Sequence, residues 1–491
     1  MQEPLINTQT GAEKKLDSYQ IEIENQVIDI NIFLDREGFS HYNLSIKNIT
    51  KSTRIVLDKI REEFISQINI GTIDFSEEGS AATIKDRFKQ EIFILIKRYF
   101  PRTDKRTSDL LVNELLRQNI GLGDIEILLK DDFLEEIVVN GAQEPIWIYH
   151  KKHGWLKTNI IIPTEKRIRH YSTVIGSDVG KEITMLKPLM DAHLLSGDRV
   201  NATLHPISSN GNTITIRKFA TRPWTITDFL KAGTISFPGA AIIWLAVENE
   251  MSILISGGTG SGKTSMLNVV ASFMPINQRV ISIEDTRELQ LPRELHWVPL
   301  ETRIANPEGK GEITMLDLVI NSLRMRPDRI IMGEVRRKAE AEVLFEAMHT
   351  GHSVYGTFHA NNVKETIDRL TNPPIDVPKL TLTALGLIVV QTRNRRTGKR
   401  RTLQIAEILP TGDANVIMQF DVNRDSLVNM NDSKTMLDTL KLYTGLSKSQ
   451  VEADMNEKIK ILKYLVKENI IDINKVGAIF RQYYNKKMRR S

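Results

Sequence analysis

The sequence predicts an α/β protein whose largest domain is a parallel sheet covered by helices on both faces, and three observations lead there. Between 238 and 411, short apolar strands alternate with helical stretches, the pattern of β-α units wound into one sheet. The strands Met251 to Ser256, Arg279 to Ile283, Arg329 to Met332, Ser353 to Phe358 and Leu387 to Gln391 are rich in Ile, Leu, Val and Met, as strands buried on both faces must be. The turn after the first of them reads Gly257, Gly258, Thr259, Gly260, Ser261, Gly262, Lys263, Thr264. It fits G-x-x-x-x-G-K-[ST] in the strand–turn–helix context that this pattern requires.

The remaining elements follow in chain order. Residues 1–106 read as a small α/β extension, with alternating apolar residues from Gln26 to Leu34 and a helical stripe of Ile84, Phe88, Ile92 and Ile96, a spacing that suits a packing face. Residues 107–220 read as an α+β domain: a helix over Ser108 to Gln118, then strands at Ile146 to Tyr149, Asn159 to Ile162, Arg199 to Leu204 and Thr213 to Arg217 between Gly, Asn and Asp turns. Residues 221–237, with Pro223 and Gly233, read as a linker. Beyond the 238–411 domain, residues 412–491 read as mainly helical and end in the basic run Lys486, Lys487, Met488, Arg489, Arg490.

Composition narrows the function classes. A chain of 491 residues is too long for one compact core. Its 41% hydrophobic and 26% charged fractions are those of an ordinary folded protein. Basic residues outnumber acidic ones by 66 to 61 and aromatics make up 6%, so the basic, aromatic-interleaved track of a nucleic-acid translocase is not indicated and no nucleic-acid partner is expected. The absence of cysteine excludes disulfides, thiolate zinc sites and cysteine nucleophiles. Met1 to Asn25 lacks the apolar core of a secretory signal, and the apolar runs Ala240 to Val247 and Leu380 to Val390 fall short of the roughly 20 residues that span a bilayer. A cytoplasmic address is the expectation, with any membrane contact made through a partner.

The chemistry gathers around the glycine-rich loop. Its glycines let backbone N–H groups face phosphate, Lys263 reaches the β- and γ-phosphates of ATP, and Thr264 offers a hydroxyl to Mg2+. In such sheets ligands lie outside the carboxyl ends of the strands, so polar residues following each strand are the next candidates. Glu284, Asp285 and Glu288 follow the second strand and suit holding Mg2+-bound water or activating the attacking water; a solvated acidic loop is the alternative. Glu334, after Gly333, stands where a Walker B carboxylate is needed, whereas Asp328 lies before its strand. Glu334 is therefore the candidate to orient or deprotonate water, directly or through a Mg2+ ligand shell, with a surface glutamate as the alternative.

His359 ends the next strand and suits a γ-phosphate sensor. His349 and His352 lie before that strand, and without a carboxylate or thiolate to complete a set the three histidines do not read as a zinc site. Arg324 and Arg326 close a helix drawn over Ile313 to Met325. They suit stabilising the transferring phosphoryl group, within the subunit or across an interface, as well as they suit pairing with a helix C-terminus.

This ordered set resembles the type II/IV secretion ATPase superfamily, most closely its archaeal branch that assembles pili and archaella. Four stretches carry the resemblance: Gly257 to Thr264 as Walker A, Ile283 to Glu288 as Asp box, Ile331 to Arg336 as Gly-Glu Walker B, and His349 to His359 as His box. Upstream, GLGDIEILLKDDFLEEIVVNG from Gly121 to Gly141 and NTITIRKF from Asn212 to Phe219 are similar to the family's adjoining domain. The resemblance runs from about Gly121 to Leu409. It implies a RecA-like P-loop motor domain hydrolysing ATP with Mg2+, a homo-hexameric ring, Arg199 and Arg217 reaching towards the nucleotide, and work passed to a polytopic membrane platform protein. Bacterial extension ATPases of the family commonly carry a four-cysteine zinc element, for which this chain has no cysteine. The basic C-terminal run suits contact with anionic lipid or a solvated tail equally.

Overall fold

The computed structural model describes residues 13–23, 26–47, 49–69, 81–119, 121–194, 196–219, 222–303, 305 and 309–488. The chain divides into two compact units, one ending at 221 and one beginning at 222.

The first unit is built on strands β1 (Lys14–Ile23), β2 (Gln26–Leu34), β3 (Ser40–Ile46), β4 (Leu134–Val139), β5 (Pro145–His150), β6 (Gly154–Ile161), β7 (Leu189–His193), β8 (Arg199–Thr203) and β9 (Thr213–Arg217). They form one sheet in the order β1-β2-β3-β6-β5-β4-β9-β8-β7, with β3 parallel to β6. Ile28, Ile30 and Ile32 alternate into its core, the period of two that a half-buried strand imposes. The extension read as 1–106 thus shares one sheet with the strands that follow it.

Helices α1 (Lys51–Asn69), α2 (Ala81–Tyr99) and α3 (Lys105–Asn119) pack on one another around Leu57, Ile60, Phe64, Ile92, Ile96 and Leu115. Of the predicted stripe, Ile92 and Ile96 are buried and Phe88 packs against this cluster, while the side chain of Ile84 lies outside the described residues. Two more helices, α4 (Ile125–Lys130) and α5 (Glu165–Asp178), complete the unit.

The second unit starts inside the predicted linker. Residues 226–231 form α6 (Ile226–Lys231), because Thr225 and Asp228 make a capping box that satisfies the first amides and Phe229 and Leu230 are buried in the unit's core. After α7 (Phe237–Glu248) come β10 (Ile253–Gly257), α8 (Lys263–Ser272), β11 (Arg279–Glu284), β12 (His296–Glu301), α9 (Met315–Ser322), β13 (Arg329–Met332), α10 (Lys338–His349), β14 (Ser353–Phe358), α11 (Val363–Thr371), β15 (Leu387–Arg393), β16 (Arg400–Ile408), β17 (Ala414–Asp421) and β18 (Ser426–Asn429).

The order is β12-β11-β13-β14-β10-β15-β16-β17-β18. Pairings from β12 through β15 are parallel and those from β15 to β18 antiparallel. The predicted parallel sheet is thus extended by three antiparallel strands, β16 to β18, and the stretch after 412, read as mainly helical, opens with two of them before its helices begin. Hairpins need no crossover helix, and β17 and β18 mix polar and apolar residues on an edge that helices only partly cover.

The closing helices α12 (Thr435–Thr444), α13 (Lys448–Lys467) and α14 (Ile473–Met488) belong to the same unit. Trp244 of α7 stacks on Phe273, with ring centroids 5.3 Å apart, and meets Phe480 at 4.6 Å. Its Nε1–H donates to the Tyr484 hydroxyl at 2.9 Å. This aromatic knot fixes α14 against the face of the sheet that carries the phosphate-binding loop's helix.

Candidate active site

The order β11-β13-β14-β10-β15 sets five carboxyl-terminal strand ends in a row. Asp285, Glu334, His359 and the glycine-rich loop consequently reach one edge of the sheet from distant parts of the sequence.

The loop is shaped by what its glycines lack. A Cβ on Gly257 would stand 2.5 Å from the carbonyl oxygen of Gln391 on β15 and collide with Ser261 Oγ. Gly262 caps α8 with φ +94°, a left-handed conformation that side chains disfavour. Lys263 bends back so that Nζ donates to the carbonyls of Gly257 at 2.9 Å and Gly258 at 3.1 Å, with His359 Nε2 3.4 Å away. Burial holds the Lys263 pKa below its ordinary value, against the opposing pull of Glu334 and Glu288. The buried Ser261 hydroxyl has no hydrogen-bond partner. A half-buried cation resting on carbonyls, an unspent hydroxyl and a helix N-terminus together fit a bound phosphate. Thr264 follows in the first turn of α8, half-buried.

Beside the loop lies a charged relay. His359 Nε2 is 3.1 Å from Glu334 Oε1. The other oxygen of Glu334 accepts Arg336 Nε–H at 2.8 Å, and a second arm of Arg336 pairs with Asp285. Burial and the Lys263 charge push His359 below its ordinary pKa, so its Nε2 sits between the Lys263 ammonium and the Glu334 carboxylate on a ring that resists taking up a second proton. Thr357 Oγ1 donates to the Gly333 carbonyl at 2.5 Å, and Val335 N–H to the Thr357 carbonyl at 2.9 Å, which pins the Gly333–Glu334 turn. Arg336, which couples Asp285 to Glu334, was not among the residues the sequence singled out; its position two residues past Glu334 was the available signal.

Glu284 plays a different part from its neighbours. One carboxylate oxygen accepts the backbone N–H groups of Glu288 at 2.7 Å and Leu289 at 3.0 Å, holding the 285–289 turn in place. The other is buried without a partner. Burial pushes the Glu284 pKa up to about 7. Glu288 is half-buried, and its carboxylate adds to the positive form of Lys263.

Arg324 and Arg326 do not join this group. They are exposed and precede β13, so they lie at the amino edge of a parallel sheet whose carboxyl edge holds the loop, and the expected reach within the subunit is not made. Their predicted helix also divides, into α9 and a 3-10 turn over Leu323–Met325, with Arg326 at φ +53°. His349 and His352 precede β14 at that same amino edge, where His352 Nδ1 lies 3.3 Å from Thr350 Oγ1. A six-residue strand separates them from His359. In the first unit, Arg199 and Arg217 are direct cross-strand partners on β8 and β9. Arg199 Nε–H donates to His193 Nε2 at 3.2 Å, and Arg217 also pairs across to Glu136.

In the comparison with known families, residues 121–417, which take in the phosphate-binding loop, Glu334 and His359, match the model described as type II/IV secretion system protein. The chain belongs to this family. Among relatives of this secretion-family chain, an uncharacterized protein of Methanocaldococcus jannaschii is 38% identical over 71% of the chain and 48% of its own length; the chain spans about half of it. A putative conjugal transfer protein of Mycobacterium tuberculosis is 32% identical over 58% of this chain and 84% of its own. Among solved structures, the Legionella pneumophila ATPase DotB aligns over 72% of this chain and 93% of its own at 20% identity, with a TM-score of 0.43.

Proposed function

We propose that this chain is a Mg2+-dependent ATPase motor that powers assembly of an archaeal type IV pilus-like filament at the cytoplasmic face of the membrane. The observation that carries the reading is the contact of Glu334 with His359 at 3.1 Å, both beside the loop lysine. There a carboxylate is held within reach of a water attacking a phosphate seated on Gly257 to Thr264.

In this reading Lys263 binds the β- and γ-phosphates and Glu334 takes the role of orienting and deprotonating water. His359 exchanges its bond to Glu334 for one to the γ-phosphate, so that the carboxylate is released when ATP is present. Arg336 keeps Asp285 and Glu334 apart and aligned. Glu284 shapes the acidic turn from behind. Thr264 would hold Mg2+, with Asp285 and Glu334 acting directly or through water, and the ion when bound neutralises charge on the phosphates.

Work by a homo-hexamer is part of the same proposal. Arg324 and Arg326, at the edge of the sheet away from their own loop, act across the interface on a neighbour's nucleotide, and Arg199 and Arg217 are further cations that bind nucleotide in this reading. The motor acts through a polytopic membrane platform protein; no helix among the described residues is long and apolar enough to cross a membrane. The Methanocaldococcus relative supports the archaeal setting. The match to the type II/IV secretion system family supports a second reading in which the same motor drives secretion.

The test is ATP turnover with Mg2+ and anionic lipid, compared with Glu334→Gln. Turnover should fall by about 100-fold or more while ATP binding persists. Negligible turnover in the unsubstituted chain would sink the motor reading.

A further inference from the structure

The flank of the loop opposite Glu334 is lined by two arginines that the mechanism above leaves unused. β10, which leads into the loop, lies between β14 and β15. His359 and Glu334 come from the β14 side. From the β15 side rises the hairpin joining β15 to β16, whose nine residues from Arg393 to Arg401 include Arg393, Arg395, Arg396, Lys399, Arg400 and Arg401.

Its two innermost cations touch the loop. Arg400 Nε–H donates to the Gly260 carbonyl at 3.0 Å, and a Cβ on Gly262 would stand 3.4 Å from Arg400 Cδ. A Cβ on Gly260 would stand 3.2 Å from the Arg393 guanidinium. The hairpin carrying them is braced: Asn394 Oδ1 accepts the amides of Arg396 at 2.9 Å and Thr397 at 3.1 Å, and Arg401 grips Asp425 with two bonds of 2.8 and 2.9 Å.

Arg393 and Arg400 are also direct partners across the β15–β16 ladder. Like charges placed directly opposite one another destabilise a sheet. Here the pair is half-buried against a loop shaped for phosphate, where an anion lying alongside would turn that repulsion into binding.

We infer that Arg393 and Arg400 form the wall that binds the non-transferred end of the nucleotide, its α- and β-phosphates. This rests on the ATPase reading. A triphosphate on the loop directs its γ end to the flank of Glu334 and His359, which leaves the opposite end beside the hairpin. Contacts to phosphates that do not change during the reaction hold substrate and transition state alike, so they set KM rather than kcat.

The experiment measures binding of a fluorescent ADP and of ATPγS, together with steady-state ATP turnover, for the full chain and its variants. Arg400→Ala and Arg393→Ala should each weaken both nucleotides by a similar factor of about tenfold and raise KM accordingly, with a far smaller change in kcat. Arg400→Lys, which keeps the charge without the fork, should fall between, and it covers the case in which an alanine variant does not fold. The double variant Arg395→Ala, Arg396→Ala, at the exposed tip of the turn, should bind as the unsubstituted chain does. ADP binding unchanged in both single alanine variants, or a loss confined to kcat, overturns this inference and leaves the ATPase reading standing. An unsubstituted chain that binds no ADP overturns both.

Discussion

Glu284 allows a quantitative test of how the sheet edge is built. Its carboxyl is buried at the end of β11, one oxygen holding two amides and the other without a partner, and burial lifts its pKa from 4.5 to about 7. A rise of that size corresponds to about 3 kcal/mol. Because the folded pKa lies above the unfolded one, the native chain binds the proton more tightly. Stability from this group is fully present below about pH 4.5 and drains away as pH rises through 7. Glu284→Gln keeps an acceptor for the two amides and removes the titration; any mismatch of its NH2 adds an offset that does not vary with pH.

The quantity to read is therefore the difference in melting temperature between variant and unsubstituted chain, without nucleotide, from pH 5 to 8.5. All other titrations cancel in that difference. For a unit of 222–491 the variant should gain about 5 °C relative to the unsubstituted chain across the range. A difference that stays flat with pH, or that moves the other way, refutes the claim that Glu284 is buried at a cost to its charged form.

Two further outcomes follow from buried charge elsewhere. Lys458 is fully buried, with Nζ 2.5 Å from Glu248, 2.8 Å from Asp454 and 2.8 Å from the Tyr483 hydroxyl. Lys458→Met leaves those carboxylates with Lys487 at 2.6 and 3.2 Å and should destabilise the second unit by about 3–5 kcal/mol in denaturant unfolding; an unchanged midpoint would show that the network does not tie α13 and α14 to α7. His150 is buried at the end of β5, its Nδ1 accepting the amides of Lys152 at 3.1 Å and His153 at 3.3 Å, and burial lowers its pKa to about 4. The unfolded chain takes up a proton below about 6.5 that the native ring refuses, so the first unit should lose stability as pH falls from 6.5 towards 4. His150→Asn, which keeps an acceptor and does not titrate, should lessen that slope, as followed by unfolding of residues 1–221 in hydrogen exchange.

Much of the site was readable because it is written in contiguous runs. The loop from Gly257 to Thr264 carries its own geometry: glycines for close approach, a lysine for charge, and a helix that begins where the pattern ends. Glu334 and His359 were readable one step further on, since a short apolar run implies a strand and a strand end implies the sheet's ligand edge. Three things needed the fold itself. Whether Arg324 and Arg326 face the loop depends on which end of β13 they precede, and a parallel sheet sends them to the far edge. The link from Asp285 through Arg336 to Glu334 depends on β11 lying next to β13, a pairing between segments about fifty residues apart that no local pattern encodes. The arginines of the β15–β16 hairpin belong to no motif, and they meet the loop only because β15 lies alongside β10. Sequence alone thus determined which chemical groups the chain possesses and which local shapes it can adopt, because propensity, glycine freedom and periodicity are short-range. Tertiary structure decided which of those groups meet, because strand order is set by burial of the whole sheet, over distances along the chain that its local patterns do not record.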